Sequence, residues 1–83
     1  MPNTSIVYVL RSMTNDARYY VGLTSNLSAR LATHDSGGSS HTRRDRPWQL
    51  VVSLEFTSPG GAVAFEHYLK SGSGRAFAKR HFV

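Results

Sequence analysis

Tyr19-Tyr20-Val21-Gly22 marks the point at which this chain changes from an extended strand to a helix. The surrounding segment, from Arg18 to Leu23, is rich in aromatic and β-branched residues, as β-strands are. Gly22 is expected to end the strand where the backbone needs a freedom that a side chain denies. Thr24-Ser25-Asn26 then offers three candidate helix N-caps, of which we prefer Asn26.

An earlier strand is predicted over Ser5 to Arg11, where apolar residues occupy both faces. Apolar character on both faces indicates a strand in the centre of a sheet. The polar segment Met13 to Asp16 is typical of a turn, so the two strands are expected to form an antiparallel hairpin. This hairpin places Tyr8 near Tyr20.

The helix after Asn26 has a stripe that mixes core leucines with two polar side chains. The stripe follows the i, i+3, i+4, i+7 pattern of one helical face and consists of Leu27, Arg30, Leu31 and His34. Asp35 to Ser40 is rich in glycine and serine. It is expected to end the helix and to form a loop into a basic segment.

The second half of the chain predicts one more strand and two more helices. Trp48 to Phe56 alternates with a period of two, which indicates a third strand with its tryptophan as the core anchor. Ser58-Pro59 is a typical helix start, and we expect this helix to run toward Gly72. We interpret Gly72 and Gly74 as the C-cap region that ends it. A short basic helix is predicted over Arg75 to Phe82.

The composition excludes several kinds of site and location. We expect the 83 residues to form a single domain, 1–83. The absence of cysteine excludes disulfides, thiolate metal sites and thiol nucleophiles, and it suits a reducing cytoplasm. The apolar run from Ile6 to Leu10 is too short for a signal-peptide core or a membrane span. A cytoplasmic protein that does not enter membranes is therefore expected.

Basic residues outnumber acidic ones, with ten Lys and Arg against five Asp and Glu and a formal net charge of +5. The excess is concentrated in His41 to Arg46 and in Lys70 to Arg80, which indicates a nucleic-acid partner. The alternative is that these patches only keep the protein soluble, and charge alone does not separate the two. The candidate nucleic-acid-binding residues are Arg43, Arg44, Arg46, Lys70, Arg75, Lys79 and Arg80.

Glu66 is a carboxylate on the helix face that should pack inward. A buried carboxylate needs a partner. One interpretation is an ion pair with Arg30 on the first helix, and the other is a hard-metal ligand beside a substrate phosphate. A lone glutamate favours the ion pair, whereas its occurrence with Tyr8, Tyr20 and His34 in so small a domain favours the metal site.

Five features of the sequence, in this order, resemble the GIY-YIG nuclease domain. They are Val7-Tyr8-Val9, Tyr20-Val21-Gly22, Arg30, His34 and Glu66. The resemblance spans almost the whole chain and is strongest to the small stand-alone bacterial type, which is related to the N-terminal domain of the UV excinuclease incision subunit. It implies an α/β (α+β) fold, a three-stranded antiparallel sheet flanked by helices. It also implies a metal-dependent endonuclease that hydrolyses phosphodiester bonds in nucleic acid, with DNA favoured over RNA as the substrate, in repair or processing.

The resemblance also implies a role for each site residue. Glu66 would hold one divalent ion, Mg²⁺ or Mn²⁺, as a hard oxygen ligand. Tyr8 would take a proton from the attacking water, provided that the metal and nearby cations lower its phenol pKa. Arg30 would clamp the scissile phosphate, and Tyr20 would position water or phosphate. His34 would orient Tyr8 or assist the proton transfer.

Three departures from the family pattern predict a slower enzyme or one that uses other groups. The first tripeptide lacks its glycine, Leu23 stands where some members have a lysine, and no asparagine occurs late in the chain. His41 matches a further histidine of some members. Its Gly/Ser loop predicts exposure to solvent, so we rank it below the five residues above.

Two further hypotheses belong to other functional classes. One is a catalytically weak nucleic-acid-binding module of the same fold, whose affinity would depend strongly on salt. The other is a protein-interaction domain without affinity for nucleic acid. The domain is too small for elaborate sequence readout, so targeting would come from a partner protein or from a homodimer.

Overall fold

The computed structural model describes residues 5–15 and 17–82, which contain three strands and three α-helices. The elements are β1 Ser5–Ser12, β2 Tyr19–Thr24, α1 Leu27–Ser36, a 3-10 turn Arg43–Asp45, β3 Trp48–Phe56, α2 Pro59–Lys70 and α3 Gly72–His81. None of the helices in these two ranges has the length and apolar character needed to cross a membrane.

The strands form one antiparallel sheet in the order β2-β1-β3. β1 therefore lies in the middle, and its residues Val7 to Leu10 are buried, as apolar character on both faces predicts. The hairpin pairs Tyr8 with Gly22 and Leu10 with Tyr20. The predicted fold, a three-stranded antiparallel sheet flanked by helices, is confirmed.

The two faces of the sheet pack against different helices. Successive side chains of a strand point to opposite faces. Val7 and Val9 lie on one face, where they form the apolar core with Ala62 and Leu69 of α2. Tyr8 lies on the other face, where it contacts α1. The sheet therefore separates the main apolar core from the surroundings of Tyr8.

A β-bulge interrupts the pairing of β1 with β3. Val9 pairs with Val52, but the next residue, Leu10, pairs with Leu50, so Val51 is the extra residue. Val51 packs against the core cluster, and Leu50 is left 38% exposed. The strict alternation predicted for β3 is wrong at this point, because sequence periodicity assumes uninterrupted pairing.

The first helix begins at the predicted cap. The Asn26 side chain accepts a hydrogen bond from the Ala29 backbone N–H at 3.1 Å, which satisfies one of the free donors of the first turn. The helix ends at Ser36, and Gly37 follows it in the left-handed conformation, with φ of 80°. Both ends of α1 are therefore set by local chemistry.

One serine joins α2 to α3. Ser71 Oγ donates to the Tyr68 carbonyl at 2.6 Å and accepts from the Gly74 N–H at 3.1 Å, so it caps both helices. The predicted C-cap role of Gly72 and Gly74 is wrong, because α3 already begins at Gly72. A Cβ at Gly74 would overlap the Tyr68 backbone, so this glycine permits a close approach of the two helices.

Gly22 is needed for a reason that differs from the predicted one. Its backbone is not left-handed, and β2 continues beyond it to Thr24. A Cβ at Gly22 would instead overlap the ring of Tyr8. The glycine therefore makes room for the Tyr8 side chain to lie across the neighbouring strand.

Gly22→Ala is expected to lower the free energy of unfolding by about 1–3 kcal/mol, because the added methyl group must displace a packed ring. Gly72→Ala is the matched control, since nothing lies within 4 Å of a Cβ at Gly72. There the same methyl group should be neutral or should stabilise the helix by up to about 1 kcal/mol. Urea denaturation measures both changes, and a Gly22→Ala protein as stable as the wild type would contradict the packing argument.

Candidate active site

Three aromatic rings from different elements meet on the face of the sheet opposite the core. Tyr8 of β1 lies beside Tyr20 of β2, with 6.2 Å between the ring centroids, as the hairpin predicts. His34 of α1 packs edge-on against Tyr20 at a centroid distance of 5.0 Å. The Tyr8 hydroxyl and His34 Nε2 are 2.8 Å apart, which is a hydrogen bond between buried groups.

The other ring nitrogen of His34 is bonded to a residue that sequence reasoning missed. His34 Nδ1 lies 2.7 Å from Thr42 Oγ1, and Thr42 is fully buried. The Trp48 indole N–H donates to the Thr42 carbonyl at 2.7 Å, so Trp48 also holds this loop. Thr42 belongs to a polar, basic segment, where no local pattern indicates burial.

The 3-10 turn that follows Thr42 is attached to the hairpin. Ser12 Oγ donates to the Asp45 carbonyl at 2.6 Å. The Asp45 carboxylate also lies 3.5 Å from Arg18 Nε. The loop that supplies Thr42 is therefore connected to the strands that supply the two tyrosines.

Glu66 is bonded within its own helix. Its side chain is 13% exposed, and its carboxylate lies 2.5 Å from Lys70 Nζ and 3.8 Å from His67 Nε2. Among the described residues, no hydrogen bond or ion pair joins Glu66 to Arg30, so the ion-pair interpretation named the wrong cation. α2 packs on the core face of the sheet, whereas Tyr8 lies on the opposite face.

Glu66 has the chemistry of a hard-metal ligand but no preformed cage around it. Across residues 5–15 and 17–82, no group of three or more His, Cys, Asp or Glu side chains is placed to hold a metal ion. Mg²⁺ needs few protein ligands, since one or two carboxylates commonly bind it together with water and substrate phosphates. Glu66 fits such a site once Lys70 moves, and the half-exposed Lys70 side chain makes this ion pair a weak one.

The predicted nucleic-acid-binding residues lie on more than one surface. Arg43 and Arg44 are exposed in the turn that follows Thr42, which bonds to His34. Arg46 follows the same turn, but its guanidinium donates to the Arg43 carbonyl at 3.0 Å and to a carbonyl of α1 at 3.4 Å. This arginine therefore holds the loop against the end of α1.

A basic groove of about 1070 Å³ lies between the hairpin and the last two helices. The predicted residues that line it are Lys70, Arg75 and Lys79. Val9 also lines this groove, and it points away from its neighbour Tyr8 because side chains alternate along a strand. The groove is therefore on the face opposite Tyr8 and Tyr20. Arg80, the remaining predicted residue, lines a smaller cleft of about 300 Å³.

Comparison with known proteins identifies the family of this domain. The sequence model of the GIY-YIG catalytic domain matches residues 4–80. The chain belongs to the GIY-YIG nuclease family. The predicted family is confirmed, and the Tyr8, Tyr20 and His34 cluster lies within the matched catalytic domain.

The GIY-YIG chain is similar both to small proteins and to parts of longer ones. A UPF0213 protein of Natronomonas pharaonis is 41% identical over 66 residues, which cover 78% of this chain and 75% of that protein. The solution NMR structure of a UPF0213 protein from Bacillus halodurans has a TM-score of 0.57 at 31% identity and covers 92% of this chain and 80% of that chain. The structure-specific endonuclease subunit slx1 of Penicillium rubens is 43% identical over 65 residues, which cover 71% of this chain. This chain spans only 16% of the length of that subunit.

Burial controls the proton on Tyr8 in this GIY-YIG domain. Burial raises the pKa of Tyr8 to about 12, with the neighbouring Tyr20 adding to the effect and the charge of Arg30 opposing it. The expectation that nearby cations lower this pKa is therefore not met by the protein's own groups, because burial outweighs the guanidinium. Arg30 nevertheless acts in the direction that favours the phenolate.

Burial also keeps His34 neutral. The pKa of His34 is lowered from its ordinary value of 6.5, first by burial and then by the positive charge of Arg30, while Asp35 opposes the shift. A neutral imidazole carries one proton, and either ring nitrogen can hold it. The chemistry of the cluster therefore depends on which nitrogen is protonated.

The lowered pKa of His34 predicts that the protein loses stability as the pH falls below 6.5. The unfolded chain binds a proton at this residue more tightly than the folded chain does, so protonation favours unfolding between 6.5 and the lowered folded pKa. Urea denaturation above and below pH 6.5 measures the loss, and His34→Asn should remove this part of it. An identical pH dependence in the variant and the wild type would show that His34 does not titrate in this way.

Proposed function

We propose that this chain is a divalent-metal-dependent endonuclease that hydrolyses phosphodiester bonds in DNA, with a role in repair or processing. The observation that carries the proposal is the 2.8 Å hydrogen bond between the buried Tyr8 hydroxyl and His34, beside Tyr20 and Arg30. A minimal core has no need for a buried tyrosine bonded to a buried histidine. Membership of the GIY-YIG family supports nuclease chemistry at this cluster.

Arg30 is the residue that would bind the scissile phosphate. Its guanidinium is exposed and lies close enough to Tyr8 and His34 to shift the pKa of both. A planar guanidinium donates two parallel hydrogen bonds to phosphate oxygens, and its charge offsets the negative charge that develops during hydrolysis. Arg30 would thereby place the phosphorus atom next to the Tyr8 hydroxyl.

Tyr8 and Tyr20 would handle the attacking water. The Tyr8 hydroxyl accepts a proton only as phenolate, and the rise of its pKa to about 12 leaves little phenolate in the free protein. Additional positive charge at the site is therefore required. Within the described protein Arg30 is the cation that acts on Tyr8. Glu66, on the helix that packs on the opposite face, would hold Mg²⁺ or Mn²⁺, which is a Lewis acid when bound, with water and substrate oxygens as its other ligands.

A second candidate function is a nucleic-acid-binding module with weak or no catalysis. Two observations favour it. Lys70 forms an ion pair with the Glu66 carboxylate, the proposed metal ligand, and the pKa of Tyr8 is raised rather than lowered. The same cleavage assay separates the two candidates, because only the first requires metal-dependent cutting.

Selection of the DNA site would depend on groups other than the Tyr8, Tyr20 and His34 cluster. We propose that a partner protein or a second copy of the chain selects the DNA site, because a domain of 83 residues has little surface left for sequence readout. The curated relative in Penicillium rubens is named as a subunit, which supports the idea of a partner. The proposed location is the cytoplasm, in agreement with the absence of cysteine.

Metal-dependent cleavage is expected to need Glu66 and Arg30. In a plasmid nicking assay with Mg²⁺ or Mn²⁺, Glu66→Gln and Arg30→Ala should each slow cleavage by about a hundredfold or more, because the first removes the proposed metal ligand and the second the cation at the phosphate. Glu55→Gln is the matched control, since Glu55 is an exposed carboxylate on β3. Undiminished cutting by both site variants would overturn the assignment. Salt-dependent binding by the wild type without any cutting would establish the second candidate.

DNA is expected to bind on the tyrosine side of the sheet. Arg43→Glu with Arg44→Glu should weaken binding and reduce the slope of log affinity against log salt by about two, because two phosphate contacts are lost. Arg75→Glu with Lys79→Glu makes the same change in net charge on the opposite face and should have a much smaller effect. Fluorescence anisotropy with labelled duplex DNA, without metal, measures both. A larger effect of the second pair would place the DNA in the basic groove instead.

A further inference from the structure

The buried hydroxyl of Thr42 has a single hydrogen-bond partner. Thr42 is 0% exposed, and its Oγ1 lies 2.7 Å from His34 Nδ1, its one side-chain hydrogen bond in the described part of the chain. A hydroxyl that is shut off from water and does not donate its hydrogen carries a desolvation penalty. The Thr42 O–H hydrogen therefore has one favourable acceptor, the lone pair of His34 Nδ1.

The two tautomers of neutral His34 differ in how well they satisfy this network. With the proton on Nδ1, the ring would donate to Thr42 Oγ1 and leave the Thr42 hydrogen without an acceptor. With the proton on Nε2, Thr42 donates to Nδ1 and the ring donates to the Tyr8 oxygen at 2.8 Å. The Tyr8 hydrogen is then free to face Tyr20, whose ring centroid lies 6.2 Å away and which raises the Tyr8 pKa. Only the second arrangement gives the buried Thr42 hydrogen an acceptor.

We propose that Thr42 is a positioning residue that holds His34 in the Nε2–H tautomer, so that the ring presents an N–H donor to the Tyr8 oxygen. The catalytic consequence rests on the proposed nuclease function. An N–H donor stabilises a phenolate, whereas the lone pair of the other tautomer would repel it. A hydroxyl that does not touch the substrate thus determines whether Tyr8 can act as a base.

The backbone around Thr42 is held independently of its hydroxyl. The Thr42 carbonyl accepts from Trp48 Nε1 at 2.7 Å, and its N–H donates to the Ser39 carbonyl at 3.3 Å. The hydroxyl is therefore delivered to His34 by a fixed loop. Removing only the hydroxyl should leave these two backbone contacts in place.

The first test reads the tautomer directly by ¹⁵N NMR of the histidine rings in the whole chain. In the wild type, the His34 proton is expected on Nε2, with the Nδ1 resonance displaced as for a hydrogen-bonded lone pair. Thr42→Val should move the Nδ1 resonance toward the position of a free lone pair, and Thr42→Ser should restore it. A wild-type proton on Nδ1, or an Nδ1 resonance that Thr42→Val leaves unchanged, would overturn the inference. If Thr42→Val does not fold, the wild-type and Thr42→Ser spectra test the inference, since both should show the His34 proton on Nε2 and a proton on Nδ1 would overturn it.

The second test measures cleavage and DNA affinity separately. Thr42→Val should slow nicking by about tenfold to a hundredfold, as for other groups that orient a functional histidine, with DNA affinity unchanged. Thr42→Ser should cut at close to the wild-type rate. Thr33→Val is the matched control, because within residues 5–15 and 17–82 the hydroxyl of the exposed Thr33 bonds only to the Ala29 carbonyl. Equal cleavage by Thr42→Val and wild type would contradict the inference.

The two tests separate this inference from the proposed function. The NMR measurement needs no cleavage, so a wild type that cuts no DNA but has the Nε2–H tautomer would refute the nuclease proposal and leave the role of Thr42 intact. A wild type that cuts DNA but has the Nδ1–H tautomer would support the nuclease proposal and refute the role of Thr42.

Discussion

The side chain of Tyr8 is the contact on which the rest of the site depends. It crosses Gly22 of the neighbouring strand, and its hydroxyl bonds to His34 of α1 at 2.8 Å, so one residue joins β1, β2 and the first helix. The same burial that orders the site raises the pKa of Tyr8 to about 12. Burial therefore opposes the phenolate that the proposed chemistry needs, and the positive charge of Arg30 acts against this effect.

The sheet divides the protein into two functional halves. A three-stranded sheet has two faces, and this domain uses one for the apolar core with α2 and the other for Tyr8, Tyr20 and His34. Among the basic residues, Arg43 and Arg44 follow Thr42, which bonds to His34, whereas the groove residues lie behind the sheet. The two basic segments of the sequence therefore lie in different places on the protein.

Glu66 pairs with a partly exposed lysine of its own helix. Its carboxylate is charge-neutralised by Lys70 on the next turn of α2, and Lys70 is also part of the basic groove lining. An ion pair with a half-exposed lysine is weak, so Glu66 could exchange Lys70 at little cost for the cation of the proposed function. This domain is similar both to the small UPF0213 relative and to part of the longer endonuclease subunit. The proposed chemistry therefore needs only a compact domain.

The sequence by itself determined the hairpin, the Asn26 cap, the third strand and the family, because each depends on residues close together in the chain or on the order of a motif. Only the tertiary structure decided that Thr42 bonds to His34, that Val51 forms a bulge, and that Glu66 pairs with Lys70 instead of Arg30. Periodicity reports which face of an element a residue occupies. It does not report which distant loop packs on that face, where the strand pairing shifts register, or which charged side chain pairs with a residue there. These depend on how the elements pack.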